Sequence, residues 1–166
     1  DGSITIDNLN IKEYTLEALY NKIGYVPQSS VLFSGTIQDN IDFGTNGKTI
    51  KERTLDEAAK IAQAKEFIDD LDDRYESNVA QGGTNLSGGQ KQRLSITRAV
   101  YRDPEIFIFD DTFSALDYKT DKLLRQQLSE QTVGATTFIV AQRIGTIQHC
   151  DKIIVLDKGE IVGMGT

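Results

Sequence analysis

The chain lacks the residues that several functions would require. Basic residues are in the minority: 18 Lys and Arg face 25 Asp and Glu, a net charge of −7 and a pI near 4.7. That argues against a nucleic-acid partner, because reading a phosphate backbone rests on clustered positive charge. A single cysteine, Cys150, excludes an internal disulfide framework and points to a reducing compartment. The one histidine, His149, lies beside it, and the pair is too small a ligand set for zinc. Both read as ordinary structural or surface residues. The longest purely aliphatic or aromatic runs, Ile106–Phe109 and Ile153–Leu156, hold four residues each. A bilayer span needs about 20. No N-terminal apolar stretch resembles a signal peptide.

What is present fits a globular chain, with 39% hydrophobic and 26% charged residues. At 166 residues it can bury roughly 70% of its unfolded surface without a disulfide or metal staple. It begins at Asp1 rather than Met, and Ile4-Thr5-Ile6 already alternates like a half-buried strand. The start therefore reads as cut from a longer chain. Ile23-Gly24-Tyr25-Val26 predicts a strand halted by Pro27. A turn-rich stretch from Asp42 to Gly47 precedes a helical pattern with Leu55, Ala58, Ala59 and Ala62 on one face. Asp69, Asp70, Asp72 and Asp73 read as a solvated acidic face.

Beyond Pro104 the pattern changes. Ile106–Phe109 is continuously apolar, as expected of a strand buried on both faces of a parallel sheet. A helix with Leu116, Leu123, Leu124 and Leu128 on its inner side follows. Thr136–Val140 and Ile153–Leu156 predict two more buried strands, the last turning through Lys158-Gly159 into a hairpin. Alternating strands and helices over 104–156 predict an α/β layer. Residues from about 33 to 100 contain no good strand and read as a helical insertion, leaving 1–32 and 101–166 for the α/β core.

Two features carry chemistry. In Leu86-Ser87-Gly88-Gly89-Gln90-Lys91-Gln92-Arg93, adjacent glycines leave backbone N–H groups unobstructed just before a helix. Exposed amides at the positive end of a helix, with the Ser87 hydroxyl, make an anion site. On its own, this stretch also reads as a Gly-rich helix cap. The second feature is the apolar strand ending in Asp110-Asp111. A carboxylate at the C-terminal end of a central parallel strand lies where α/β sheets bind ligands, and suits Mg²⁺ beside nucleotide phosphates. The plainer alternative is an acidic cap for the next helix.

Taken together, these segments resemble the nucleotide-binding domain of ABC (ATP-binding cassette) transporters of the exporter type, over nearly the whole chain. Leu86–Gln90 matches the ABC signature without a mismatch, Ile106–Asp110 resembles the Walker B strand, and Ser114–Asp117 resembles the D-loop. Gly24–Gln28 is similar to the Q-loop, Val31–Ile41 to the exporter segment after it, and Gly159–Thr166 to the closing strands of the core. The resemblance implies a RecA-like P-loop NTPase core of mostly parallel sheet with flanking helices and an inserted helical subdomain. It implies ATP and Mg²⁺ as cofactors. Gln28 and Asp110 would face the metal, and Ser87, Gly88, Gly89, Gln90 and Asp117 would reach ATP held by the opposite subunit of a head-to-tail dimer. It also implies coupling helices of a transmembrane domain as partners and a place on the cytoplasmic face of the membrane.

Three departures from the family pattern sharpen the expectation. The Walker A loop is absent; Gly47-Lys48 lacks the preceding glycine at the required spacing. Negligible ATP affinity is expected of these 166 residues alone. Asp111 stands where active members carry Glu, a side chain about 1 Å longer, and a misplacement of that size can cost on the order of 100-fold in rate. Gln142 stands where a histidine is expected and cannot carry a proton near neutral pH. With Asp111 and Gln142 as the catalytic positions, the resemblance is to the degenerate-site subunit of a heterodimeric multidrug exporter, its signature intact. The alternatives are a soluble ABC-type ATPase or a non-hydrolytic regulatory module.

Overall fold

The computed structural model describes residues 2–44 and 53–166; the Gly47-Lys48 pair lies outside them. Two short strands, β1 (Thr5–Ile6) and β2 (Leu9–Asn10), pair antiparallel and lead into helix α1 (Leu16–Lys22), which Thr15 caps. Strand β3 (Ile23–Val26) follows at once. Next come β4 (Gly35–Thr36), α2 (Ile37–Asp42), α3 (Leu55–Ile61), α4 (Lys65–Asp69) and β5 (Asn78–Val79). The long helix α5 (Gly88–Arg102) precedes β6 (Ile106–Asp110). The chain closes with α6 (Tyr118–Gln131), β7 (Thr136–Val140), α7 (Ile144–Ile147), β8 (Ile153–Asp157) and β9 (Glu160–Gly165).

The central sheet is parallel, in the order β3-β6-β7, with Val26 opposite Phe109 and Asp110 opposite Val140. The expected α/β layering is therefore present. Among the described residues, 33–44 and 53–100 are mostly helical, but β4 and β5 form a small antiparallel pair there. Two-residue strands are too short to leave a period in sequence. Helix α5 runs unbroken through position 100.

Helix α5 forms because Ser87 caps it. Its hydroxyl accepts from the Gln90 N–H while the Gln90 side chain accepts from the Ser87 N–H, a reciprocal cap. The helix ends at Asp103 in a left-handed conformation, with Pro104 unable to continue it. Leu94, Ile96, Ala99 and Val100 are buried, as are Phe107 and Phe109 of β6, whose rings stack 5.8 Å apart. Gly24 allows β3 to approach this layer; a Cβ there would lie 2.7 Å from Pro104 Cγ.

Three burial expectations are corrected. Strand β6 is deeply buried on its Phe107/Phe109 face, whereas Ile106 and Ile108 are only partly covered. Strands β7 and β8 are largely exposed: Phe138 is 57% and Leu156 66% accessible. Among the described residues β7 pairs only with β6 and β8 only with β9, and their side chains stay largely accessible. An apolar run signals a surface that suits burial; the cover itself comes from neighbours. On α6, Leu124 and Leu128 face inward with Asp121, while Leu123 is exposed. Steps of three and four residues share a helix face, and Leu123 falls one residue off that stripe. Asp121 tolerates burial because Arg125 Nε and Nη2 donate to it at 2.8 and 3.2 Å. The hairpin at Lys158-Gly159 forms as expected, both residues having positive φ.

Candidate functional site

The site forms at the C-terminal ends of β3, β6 and β7. Parallel pairing brings three distant segments to one edge: the loop after Val26, the Asp110-Asp111 pair, and the residues after Val140. The Asp111 N–H donates to the Val140 carbonyl at 2.9 Å, which seats Asp111 beside the end of β7. Its backbone is left-handed, with φ 42° and ψ 30°. Aspartate tolerates this better than most residues, and such backbones gather at functional sites.

In that position one oxygen, Asp111 Oδ2, accepts from both Gln28 Nε2 and Gln142 Nε2, each at 3.2 Å. Three of the predicted site residues thus meet on one carboxylate. Asp110 lies alongside, and the Tyr25 hydroxyl donates to its Oδ2 at 3.1 Å, which holds the Tyr25 phenol above its ordinary pKa. Buried Thr112 donates to the Val26 carbonyl at 3.1 Å and fixes the base of the Gln28 loop.

The second cluster is the first turn of α5. Since the Ser87 Oγ accepts from Gln90, its O–H remains available to donate outward. The first-turn amides of a helix have no intrahelical acceptor. A Cβ on Gly88 would meet nothing within 4 Å, and one on Gly89 only Ala115 and Leu116, beyond 3.6 Å. No side chain at either position crowds the backbone of this turn. Gln90 turns back to cap Ser87 through its Oε1. Asp117 caps α6, accepting from the Lys119 and Thr120 N–H groups at 3.1 and 3.0 Å. The Thr120 bonds hold the Asp117 carboxyl below the usual carboxylate range.

The Gln28–Asp110–Asp111–Gln142 cluster and the Ser87–Gln90 turn are bridged by Thr112–Leu116. No group of three or more His, Cys, Asp or Glu able to hold a metal occurs among the described residues. Two carboxylates and the free Gln28 Oε1 are hard oxygen donors. They suit Mg²⁺ only if phosphate and water complete its shell. The α5 amides and the Ser87 hydroxyl suit a phosphate. The donor chemistry therefore fits both groups, each incompletely.

The contacts of Tyr25 and Thr112 leave no signal in the sequence. Tyr25 could be found only from the pairing of β3 with β6, which places it opposite Ile108, two residues before Asp110 on the same face.

Comparison with known proteins agrees with this arrangement. The ABC transporter family model matches residues 1–114. An uncharacterized ABC transporter ATP-binding protein of Mycobacterium tuberculosis is 45% identical over 166 residues, covering 99% of this chain and 28% of that protein. ABC transporter B family member 17 of Arabidopsis thaliana is 43% identical over 165 residues, 99% of this chain and 13% of its own length. The solved structure of a bacterial Atm1-family ABC exporter with ATP bound superposes with a TM-score of 0.91 at 38% identity, covering 100% of this chain and 29% of that one. The chain thus spans under a third of the length of the relatives it matches. A parallel β3-β6-β7 sheet with its acidic edge, an intact Leu86–Gln90 turn and these likenesses lead to one conclusion: the chain belongs to the ABC transporter family, within its ATP-binding domain.

Proposed function

We propose that the chain is the ATP-binding part of an exporter subunit whose own hydrolytic side is weak, and that it lends Ser87–Gln90 to a competent site on a non-identical partner. The carrying observation is the double occupation of Asp111 Oδ2 by Gln28 and Gln142. A general base must present a free oxygen to the attacking water. Here Oδ2 already accepts two N–H groups from neutral amides, which leaves Oδ1 alone to meet the water, and neither amide can take up a proton near neutral pH. MgATP supplies the transferable phosphoryl group; Gln28 and Asp110 would face the metal, and the Ser87 hydroxyl with the Gly88 and Gly89 amides would face phosphate across the dimer. Asp117 stands ready at the same interface, its side chain fixed on its own helix.

The membrane partner has a plausible seat. Phe33 and Phe43 pack at 4.4 Å, both about half exposed, with Val31 exposed on the preceding loop. The Arg98 guanidinium lies over both rings, 5.7 and 5.6 Å from their centroids. This apolar surface continues directly from the Gln28 loop. It suits the coupling helices of a transmembrane domain, which would place the chain on the cytoplasmic face of the membrane. No helix among the described residues is itself long and apolar enough to cross one. Residues of about 33–100 would act as the helical subdomain and 1–32 with 101–166 as the core.

The test is made in the full-length pair. Replacing the partner's catalytic Glu should abolish ATP turnover, while Asp111→Ala should leave most of it. Equal losses from the two replacements reject the asymmetry.

A further inference from the structure

Gln92 is 2% exposed, a buried polar side chain on α5, five residues after the Ser87 cap. A primary amide so buried must have both ends satisfied. Both of its partners lie on the Gln28 loop. Gln92 Nε2 donates to the Pro27 carbonyl at 3.2 Å, and Gln92 Oε1 accepts a short hydrogen bond from the Ser30 hydroxyl. One donor and one acceptor, each matched, fix the orientation of the amide.

The attachment is two-sided. Consecutive carbonyls of the loop are held from different elements: Val26 by Thr112, just past Asp111, and Pro27 by Gln92, on the helix that begins at the signature. Gln28, the next residue, reaches Asp111. Further along α5, Arg98 donates to the Val31 carbonyl at 3.1 Å, so the loop is strapped to the helix at both ends. Gln92 is the more telling of these anchors, being the closest to Ser87 in the chain and, at 2% exposure, enclosed on the signature helix itself.

We propose that Gln92 is a positioning residue that couples two ATP sites within one chain. Its amide fastens the Gln28 loop, which faces this chain's own nucleotide, to the α5 turn that faces the partner's. A shift of the loop is then carried along a rigid helix to Ser87, and the reverse. This rests on the reading that Ser87–Gln90 serve the opposite subunit; the tether itself does not.

The experiment uses hydrogen exchange on the full-length transporter, with and without MgATP, for the parent, Gln92→Leu and Ser30→Ala. Without nucleotide, Gln92→Leu should raise exchange about five-fold or more in both segments 28–33 and 87–92. Ser30→Ala should move the same two segments by less. It leaves the buried amide in place, and so serves if Gln92→Leu does not accumulate. With MgATP, the parent segments should gain protection at one common midpoint. In the variants the two midpoints should separate, by about five-fold in Gln92→Leu. A purely structural Gln92 would loosen both segments yet keep a common midpoint, and that result overturns the coupling. Loosening of one segment alone, or of neither, overturns the tether. If the parent gains no protection from MgATP, the reading as an ATP-binding exporter subunit fails while the nucleotide-free arm still decides the tether.

Discussion

The Tyr25 hydroxyl donates to Asp110 Oδ2 across 3.1 Å, joining β3 to β6 at the point where the sheet meets its candidate ligand. The two residues lie on the same face because Tyr25 is paired with Ile108, two positions before Asp110. A phenol held this way orients one carboxylate oxygen and would leave Oδ1 for the proposed metal.

Tyr25→Phe removes that restraint without removing the ring. An unrestrained carboxylate must be ordered when Mg²⁺ binds, at about 0.5–1 kcal/mol. The Mg²⁺ concentration for half-maximal ATP binding at this chain's own site should rise about two- to five-fold in the full-length protein, with turnover at the partner's site nearly unchanged. A titration of ATP binding at that site against Mg²⁺ that superposes on the parent's would show that the phenol does not orient Asp110.

The capping role of Ser87 and its proposed anion-facing role can be separated. As the cap of α5 it satisfies the Gln90 N–H, and Ser87→Ala should cost about 1 kcal/mol of stability. Asp is as good a cap, so Ser87→Asp should recover the thermal midpoint. It should not recover turnover, because a carboxylate would then oppose the phosphate that the hydroxyl is placed to meet. Recovery of both by Ser87→Asp would contradict an anion-facing role.

Tyr75 provides the pH dependence. Burial is the main cause that pushes its phenol well above the ordinary value of 10, and its 2.8 Å hydrogen bond to Asp56 adds to it. Below pH 10 the phenol is protonated in folded and unfolded chains alike, and its contribution to stability is complete. Above pH 10 the unfolded chain releases the proton first, so stability falls as pH rises. Urea midpoints measured at pH 9 and pH 11 should therefore drop for the parent, and by less for Tyr75→Phe. An equal drop in the two would rule out Tyr75 as a source of alkaline lability.

Much of this was legible from local sequence. The Ser87/Gln90 cap, the apolar run of β6 and the Lys158-Gly159 turn each act over a few residues, where propensity and backbone geometry decide the outcome. The candidate residues Gln28, Asp110, Asp111 and Gln142 were legible too, through their place in recognisable segments. Their mutual geometry was not. The Gln28–Asp111 bond spans 83 residues and the Gln142–Asp111 bond 31. The same limit explains why the apolar runs of β7 and β8 do not disclose their exposure.

The sequence by itself determined what each segment is able to be: a capped anion-binding turn, a strand ending in two carboxylates, and a shortened acid and an amide at positions where a longer acid and a histidine are expected. Those are properties of residue type and short spacing. The tertiary structure alone decided that two glutamines share one oxygen of Asp111, that Tyr25 holds Asp110, and that buried Gln92 binds the Gln28 loop to the Ser87 helix. Each of these depends on which strands lie side by side and in what register, and pairing across dozens of residues leaves no local mark in a single sequence.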